Sequence, residues 1–526
     1  MLKLVLGASG SGKTTLLYAR IRARAEAGKR SILLVPEQFT SSTEARIYRE
    51  LGDALSGMVE SYSFTSLAEH ILAVEGGAAV QTLTDAGRAV LVRRALEELQ
   101  DNVHYYYRHR RSAAFCQMAA ETIDELKSAG LSGQQLQELA RDCGSESAKL
   151  GELALIFQGY ESLLAGTGMD PADRLELAAD RLEAALARDE LPDFLREREV
   201  FIDEFDTFNA PKKRLMGAML AALPAVTVAL CEDGAPMQPG DLELFSGAKQ
   251  VAAQLRQLAR KNGAQVAAPE LLRRDLRHKD APGLAALTEL LETGSCTPPE
   301  SAPELRLFAA ASREEEARCA AAAIRRLMRQ GVRCGKIAVV CRDISLYRAA
   351  VRYEFRMAEI PLYCDEPTTP EFSAPATAVR ALLALLRGAD MTEQLTVLAK
   401  TGLCDLTEPE VCALENYAYT WSPNAAAWRA EFTKSPRGFG DAELTEEDTL
   451  NLTRAENARK KLVTAVDTLR SKVRSANAEQ ISRALYFCLK ELGAEGQQAA
   501  QVEDIRTARG IPAAEEAARE WNVVMQ

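Results

Sequence analysis

A glycine-rich segment near the amino terminus constrains the fold of this 526-residue chain more than any other feature. It follows the pattern G-x-x-x-x-G-K-T, with Gly7, Gly12, Lys13 and Thr14 at the fixed positions. The apolar run Leu2 to Leu6 precedes it, and residues with helical spacing follow it. A strand that runs through a glycine loop into a helix directs backbone N–H groups at phosphate oxygens. The segment therefore predicts a parallel α/β sheet with a phosphate-binding loop at its edge.

Each residue type in the loop has a task in binding ATP and Mg²⁺. The glycines let the backbone approach the phosphates, Lys13 reaches the β and γ phosphates, and the Thr14 hydroxyl binds Mg²⁺. The predicted ATP-binding residues are Gly7, Ala8, Ser9, Gly10, Ser11, Gly12, Lys13, Thr14 and Thr15.

A second apolar run, Val200 to Ile202, ends in the carboxylates Asp203 and Glu204. Carboxylates at the end of a strand are the usual complement of a phosphate loop. We expect Asp203 to hold Mg²⁺ through water and Glu204 to polarise the attacking water as the catalytic residue.

Strand and helix signals alternate along the first 300 residues, with one long interruption. Further strands are predicted at Ser31 to Val35, Met58 to Ser63 and Ala225 to Leu230, and helical spacing dominates residues 65–195. A segment rich in Pro, Ser and Thr, residues 296–303, indicates a linker. A second unit follows, in which strands are predicted at Leu305 to Ala309, Ile337 to Cys341 and Ile360 to Tyr363, and helices from residue 373 onward.

The composition restricts the class of protein. A net charge of −11 argues against a protein that coats DNA by neutralising phosphates, although it permits a local DNA channel. The amino terminus lacks the pattern of a signal peptide, and no apolar run is long enough to span a bilayer, so we expect a cytoplasmic protein. The 11 cysteines show no CxxC pair, which favours reduced structural thiols.

Four longer segments resemble the motifs of superfamily-one helicases. These segments are Ile32 to Thr40, Glu60 to Ala68, Asp203 to Asn209, and Ile337 to Arg342 followed by Ile360 to Tyr363. The resemblance implies RecA-like P-loop domains, with parallel sheets flanked by helices and large helical insertions. It implies that strand ends deliver Gln38, Thr40, Ser63 and Phe64 to DNA. It also implies that Arg342 contacts the γ-phosphate from the second domain.

Within this superfamily, Leu6 to Thr14 together with Val35 to Thr40 resembles the AddB family, also called RexB. The resemblance implies a bacterial helicase–nuclease subunit that resects double-strand DNA ends in repair and recombination, as a heterodimer with an AddA-type subunit. The family's nuclease and iron–sulfur cluster belong to a carboxyl-terminal domain, for which the chain shows no matching pattern. The implied domains are 1–64 with 196–300 (1A), 65–195 (1B), 301–372 (start of 2A) and 373–526 (a 2B-like insertion).

The sequence also departs from the superfamily pattern. No adenine-reading glutamine motif precedes the loop, and Asp241 to Ala248 lacks the Gln and Arg of the third motif. Motifs five and six are not visible. A non-hydrolysing DNA-scanning scaffold therefore stays open as an alternative, and so does a P-loop kinase acting on a small metabolite.

Overall fold

Six parallel strands form a sheet in the first part of the chain. The strands are β1 (Leu2–Gly7), β2 (Ser31–Leu34), β3 (Val59–Tyr62), β4 (Glu199–Ile202), β5 (Ala225–Cys231) and β6 (Glu270–Leu272). They lie in the order β3-β2-β4-β5-β1-β6, as seen in a computed structural model that describes residues 1–76, 82–235, 244–364, 370–440 and 443–525. The predicted α/β fold with a parallel sheet is confirmed.

The central strands are covered on both faces, which explains their nearly continuous apolar sequences. Every residue of β2 is buried, and so are the last three residues of β4. The predicted strands of this sheet all form, whereas β6 is not predicted because it has three residues and is followed by charged ones. It pairs with β1 at the edge of the sheet.

Helices cover both faces of the sheet. The helices of this first unit are α1 (Lys13–Glu26), α2 (Thr40–Leu51), α3 (Asp53–Ser56), α4 (Phe64–Glu75), α5 (Asp85–Glu98), α6 (Ala113–Ser128), α7 (Gly133–Ala140), α8 (Ser147–Leu164), α9 (Pro171–Ala187), α10 (Ala210–Ala222), α11 (Ser246–Lys261) and α12 (Pro282–Thr293). One face packs against α1 and α2, and the opposite face against α4, α9, α10 and α11.

The helical interruption divides into two parts by its packing. Helices α4 and α9 contribute to the core of the sheet, whereas α5, α6, α7 and α8 enclose a separate apolar core around Phe157 and Tyr160. Lys127 on α6 joins these parts, because its ammonium group bonds the buried carboxylate of Asp170 just before α9.

The chain divides after Phe308 into two units, Met1–Phe308 and Ala309–Gln526. The helices of the second are α13 (Arg313–Arg329), α14 (Ile344–Met357), α15 (Ala374–Leu386), α16 (Met391–Lys400), α17 (Glu408–Trp421), α18 (Ala425–Arg429), α19 (Glu446–Val473), α20 (Ala478–Glu491), α21 (Ala494–Arg509) and α22 (Ile511–Met525). Helices α15, α16, α17, α19 and α20 supply most of its main core, around Trp428.

The three strands predicted at 305–309, 337–341 and 360–363 are wrong. These residues are described, and none of them belongs to a strand. The physical reason is the lack of a ladder partner, since an isolated apolar segment gains no inter-strand hydrogen bonds. The helices predicted between them do form as α13 and α14.

Two further findings concern the described residues. Their helices include none long and apolar enough to cross a membrane. All 11 cysteines lie among them as free thiols.

Candidate functional site

The glycine-rich loop joins β1 to α1 in the geometry that the sequence predicts. Gly10 and Gly12 have φ values of +82° and +90°, a region that side chains with a Cβ rarely adopt. Within the described part of the chain, no side chain caps the first N–H groups of α1. These donors therefore point into the loop without a protein acceptor, as an anion site requires.

Lys13 lies across the loop. Its ammonium group donates to the carbonyl oxygens of Gly7 at 2.8 Å and Ala8 at 2.9 Å. Burial lowers the pKa of Lys13, and the nearby Arg277 charge acts in the same direction, whereas the charge of Asp203 opposes the shift. A desolvated ammonium group beside free N–H donors is well suited to a phosphate oxygen.

The acidic pair follows the carboxyl end of β4, on the same side of the sheet as the glycine-rich loop that follows β1. Asp203 is buried, and its backbone N–H donates to the carbonyl of Leu34 on β2. Glu204 has a φ of +65°, and its N–H donates to Asp203 Oδ1 at 3.0 Å. A non-glycine residue in this region stores backbone strain of about 1–2 kcal/mol, which is common at functional sites. Burial raises the pKa of Glu204, and the charge of Asp203 raises it further.

The loop and the acidic pair line one cleft. Strand β5 separates β1 from β4, so their ends lie about 10 Å apart at the usual strand spacing. That separation leaves room between Lys13 and Asp203 for phosphates and a metal ion. The cleft has a volume of about 460 Å³ and is lined by Ser9, Gly10, Gly12, Lys13, Thr14, Thr15, Arg46, Asp203, Glu204, Phe205, Asp206, Ala229, Cys231, Leu276 and Arg277.

Sequence reasoning missed two arginines in this cleft. Arg46 comes from α2, and its guanidinium lies 4.8 Å from the ring centre of Tyr18, whose pKa burial raises to about 12. The Nε atom of Arg46 is buried and has no hydrogen-bond partner among the described residues. Arg277 reaches the loop from the segment that follows β6. Neither belongs to a short pattern, so only an alignment of relatives could have pointed to them.

The residues predicted to bind DNA lie near a second cleft of about 330 Å³, and three of them, Gln38, Ser63 and Phe64, line it. Gln38 is exposed, and Thr40 begins α2 with its hydroxyl bonded to the Glu37 carbonyl. Ser63 caps α4 through a reciprocal pair of bonds with Ser66.

Phe64 is 2% exposed and packs against Phe205 and Phe208 in the core. Its ring therefore offers no free face for a base. The ammonium group of Lys212 lies 5.8 Å from the ring centre of Phe64 and 5.5 Å from that of Phe205, and it lines the same cleft as Gln38.

Two other predicted features lie elsewhere. Arg342 belongs to the second unit, where it is exposed after the unpaired segment 337–341, and its role stays a prediction. The segment Asp241 to Ala248, expected to hold the third motif, starts outside the described residues, and its remainder leads into α11 at Ser246.

Comparison with known proteins gives a consistent result. Residues 4–288, just over half of the chain, match the family described as ADDB, N-terminal. The chain is 30% identical to the B subunit of the ATP-dependent helicase/deoxyribonuclease of Moorella thermoacetica, with 100% of this chain and 46% of the relative aligned. It is 29% identical to the protein of that name from Desulforudis audaxviator, with the same coverage. The match to that of Symbiobacterium thermophilum is 30% over 82% of this chain and 38% of the relative.

The chain thus spans about half the length of the curated relatives it matches. The family match includes the phosphate loop, the acidic pair and both arginines of the cleft. On this evidence, the chain belongs to the AddB family.

Proposed function

We propose that this chain is the ATP- and DNA-binding front portion of a helicase–nuclease subunit that acts in double-strand break repair and recombination. The observation that carries the proposal is the convergence of Lys13, Asp203 and Glu204 on one cleft, although Lys13 and Asp203 lie 190 residues apart in sequence. The relatives are named as subunits of a helicase/deoxyribonuclease, which supports DNA as the substrate.

The donor set of the cleft fits a Mg–nucleotide. Free N–H groups at the start of α1 and the Lys13 ammonium group receive the phosphates, and Arg46 Nε is a buried donor that still needs an acceptor. Thr14, and Asp203 through water, would hold Mg²⁺, which when bound neutralises charge on the phosphates. Hydroxyl and carboxylate oxygens are the ligands that this ion prefers.

Glu204 is the residue that orients the attacking water. Its raised pKa suits a carboxylate that accepts a hydrogen bond from water at the mouth of the cleft. Arg342 of the second unit is assigned the stabilisation of charge on the γ-phosphate, as the family resemblance implies. An arginine in that role accelerates phosphoryl transfer by about 10³–10⁵-fold.

Single-stranded DNA is assigned to the second cleft of the first unit. Gln38 and Thr40 supply polar contacts, Ser63 fixes the start of α4, and Lys212 supplies a cation near the phosphate backbone. Phe64 is assigned a supporting role, because its buried ring packs beneath Lys212.

The wider assembly is proposed from the family. An AddA-type subunit is the expected heterodimer partner, the bacterial cytoplasm the expected location, and an iron–sulfur cluster is assigned to no residue of this chain. Within the part of the chain that the structure describes, no group of three or more His, Cys, Asp or Glu side chains could hold a metal ion.

The test is steady-state Mg-ATP hydrolysis by the purified chain, with and without single-stranded DNA, alongside equilibrium Mg-ATP binding. The Lys13→Ala variant should lose binding and hydrolysis, whereas Lys29→Ala, an exposed lysine beyond the end of α1, should match the wild type. Single-stranded DNA should raise the rate.

The alternatives predict different results. Binding without hydrolysis in either condition would favour the non-hydrolysing DNA-scanning scaffold, to which the departure at the third motif points. Phosphoryl transfer to a small acceptor, with no response to DNA, would favour the metabolite kinase. Unchanged binding in Lys13→Ala would overturn the assignment of the nucleotide site itself.

A further inference from the structure

The chain returns to the phosphate loop nearly 270 residues after leaving it. In the segment that follows β6, the backbone N–H of Leu276 donates to the Gly10 carbonyl at 3.0 Å. The guanidinium of Arg277 donates to Ser9 Oγ at 3.2 Å. A Cβ atom on Gly10 would lie 2.9 Å from Arg277 Cβ, so the loop glycines also make room for this segment.

The turn that carries Arg277 is held by its own hydrogen bonds. The Asp275 carboxylate accepts from the backbone N–H of Arg277 at 3.0 Å and of His278 at 3.1 Å. Its second oxygen lies 2.9 Å from the His278 ring nitrogen. Arg277 therefore extends from a fixed turn, with Asp275 already occupied by the turn itself.

The charges around Arg277 are arranged for an anion. Arg277 and Lys13 line the same cleft and are close enough for their positive charges to disfavour each other. The Arg277 side chain donates to the neutral hydroxyl of Ser9, and that bond uses one of its five N–H donors. A phosphate oxygen between the two cations relieves their repulsion and accepts a stronger, charge-assisted bond.

We propose that Arg277 is a phosphate-binding residue of the nucleotide site. In this inference, which rests on the proposed nucleotide binding, the guanidinium exchanges Ser9 Oγ for a phosphate oxygen when a nucleotide enters. The first unit thereby supplies a second cation, beside Lys13, from its own chain. Nucleotide binding by this unit then does not depend on Arg342.

The experiment compares Mg-ATP binding by the wild type with that of Arg277→Ala, Arg277→Lys and Arg274→Ala. Arg274 is an exposed arginine of the same segment and does not line the nucleotide cleft. We expect Arg277→Ala to weaken Mg-ATP binding by about ten- to a hundredfold, the usual loss for one charged hydrogen bond. Arg277→Lys should recover part of the affinity, and Arg274→Ala should bind as the wild type does.

Unliganded melting temperatures separate a ligand contact from a structural one. A phosphate-binding residue leaves the unliganded melting temperature unchanged in Arg277→Ala and reduces only the rise that Mg-ATP produces. If Arg277→Ala instead lowers the unliganded melting temperature and Arg277→Lys does not restore it, Arg277 only holds the segment after β6 against the loop. That result would overturn the inference.

Lys13→Ala keeps this test distinct from that of the nucleotide site. Wild-type affinity in Arg277→Ala together with lost binding in Lys13→Ala would reject the role of Arg277 and keep the site. Full binding by Lys13→Ala would instead reject the proposed function on which the inference rests.

Discussion

Apolar runs form paired strands between residues 2 and 272 of the chain, whereas the three runs predicted as strands after residue 304 remain unpaired. Strand β1 lies between β5 and β6, and its residue Val5 is 0% exposed. In the second set of predicted strands, Leu307 is 101% exposed, Val340 90% and Tyr363 87%. The difference teaches that an apolar run becomes a strand only where other strands supply its hydrogen-bond partners and helices cover its faces.

The largest effect expected from this contrast concerns single apolar side chains. Phe201 on β4 is fully buried, so Phe201→Ala should lower the free energy of unfolding by about 4 kcal/mol. Leu307→Ala should change it by less than about 0.5 kcal/mol, because that side chain is already in solvent. Urea unfolding, followed by fluorescence, measures both. Equal losses would mean that residues 305–309 are buried after all.

Two ion pairs show the same contrast between buried and exposed side chains. Lys127 and Asp170 have side chains that are 10% and 2% exposed, and the Tyr160 hydroxyl also donates to Asp170. Asp170→Asn should cost about 3 kcal/mol, since it leaves a buried ammonium group with one counterion fewer. In the second unit, the Lys400–Glu415 pair is 53% and 42% exposed, and Lys400→Ala should cost less than about 1 kcal/mol. Thermal unfolding of both variants measures the two losses in stability, and the loss in Asp170→Asn should be the larger.

Two glycines with similar backbone angles provide a smaller contrast. Gly10 and Gly331 have φ values of +82° and +89°, but only at Gly10 would a Cβ meet neighbouring atoms. Gly331→Ala should cost about 1 kcal/mol, the conformational term alone. Gly10→Ala adds a steric clash and should cost about 2 kcal/mol while also weakening Mg-ATP binding. Equal melting temperatures for Gly10→Ala and Gly331→Ala would show that the segment after β6 moves away from the added Cβ at no cost in stability.

The sequence predicts those parts of the site that are encoded in consecutive residues. The phosphate loop needs glycines, a lysine and a threonine at fixed spacing, and Asp203 and Glu204 directly follow an apolar strand. Each pattern follows from backbone geometry and ligand chemistry within about ten residues. For that reason the loop, the acidic pair and the strands that hold them are all recognisable from the order of the residues alone.

Arg46 and Arg277 could not be found in this way, because their place in the cleft depends on how distant segments pack. Arg277 reads as one charge in a basic run, and only the pairing of β6 with β1 brings it to Ser9. Phe64 shows the opposite failure. Its position after a strand suggests an accessible ring, but the rings of Phe205 and Phe208, from a segment about 140 residues away, enclose it.

The smallest effect concerns Glu204, an exposed residue that lines the nucleotide cleft. Its raised pKa means that losing the proton costs more in the folded than in the unfolded chain. The stability that protonated Glu204 contributes to the folded state is therefore fully present below pH 4.5, the ordinary pKa of a glutamate. It is lost as the pH rises through the raised pKa of the folded state.

Glu204→Gln, which is neutral at every pH, should raise the melting temperature above about pH 5, with the gain vanishing at acid pH. We expect much less than about 1 kcal/mol, because the residue is exposed to solvent. Glu44→Gln, on the exposed face of α2, serves as the matched control. Glu204→Gln should retain Mg-ATP binding and lose hydrolysis, since a neutral amide does not polarise the attacking water as a carboxylate does. A gain that grows toward acid pH would contradict the direction of the Glu204 shift, and retained hydrolysis would contradict its role.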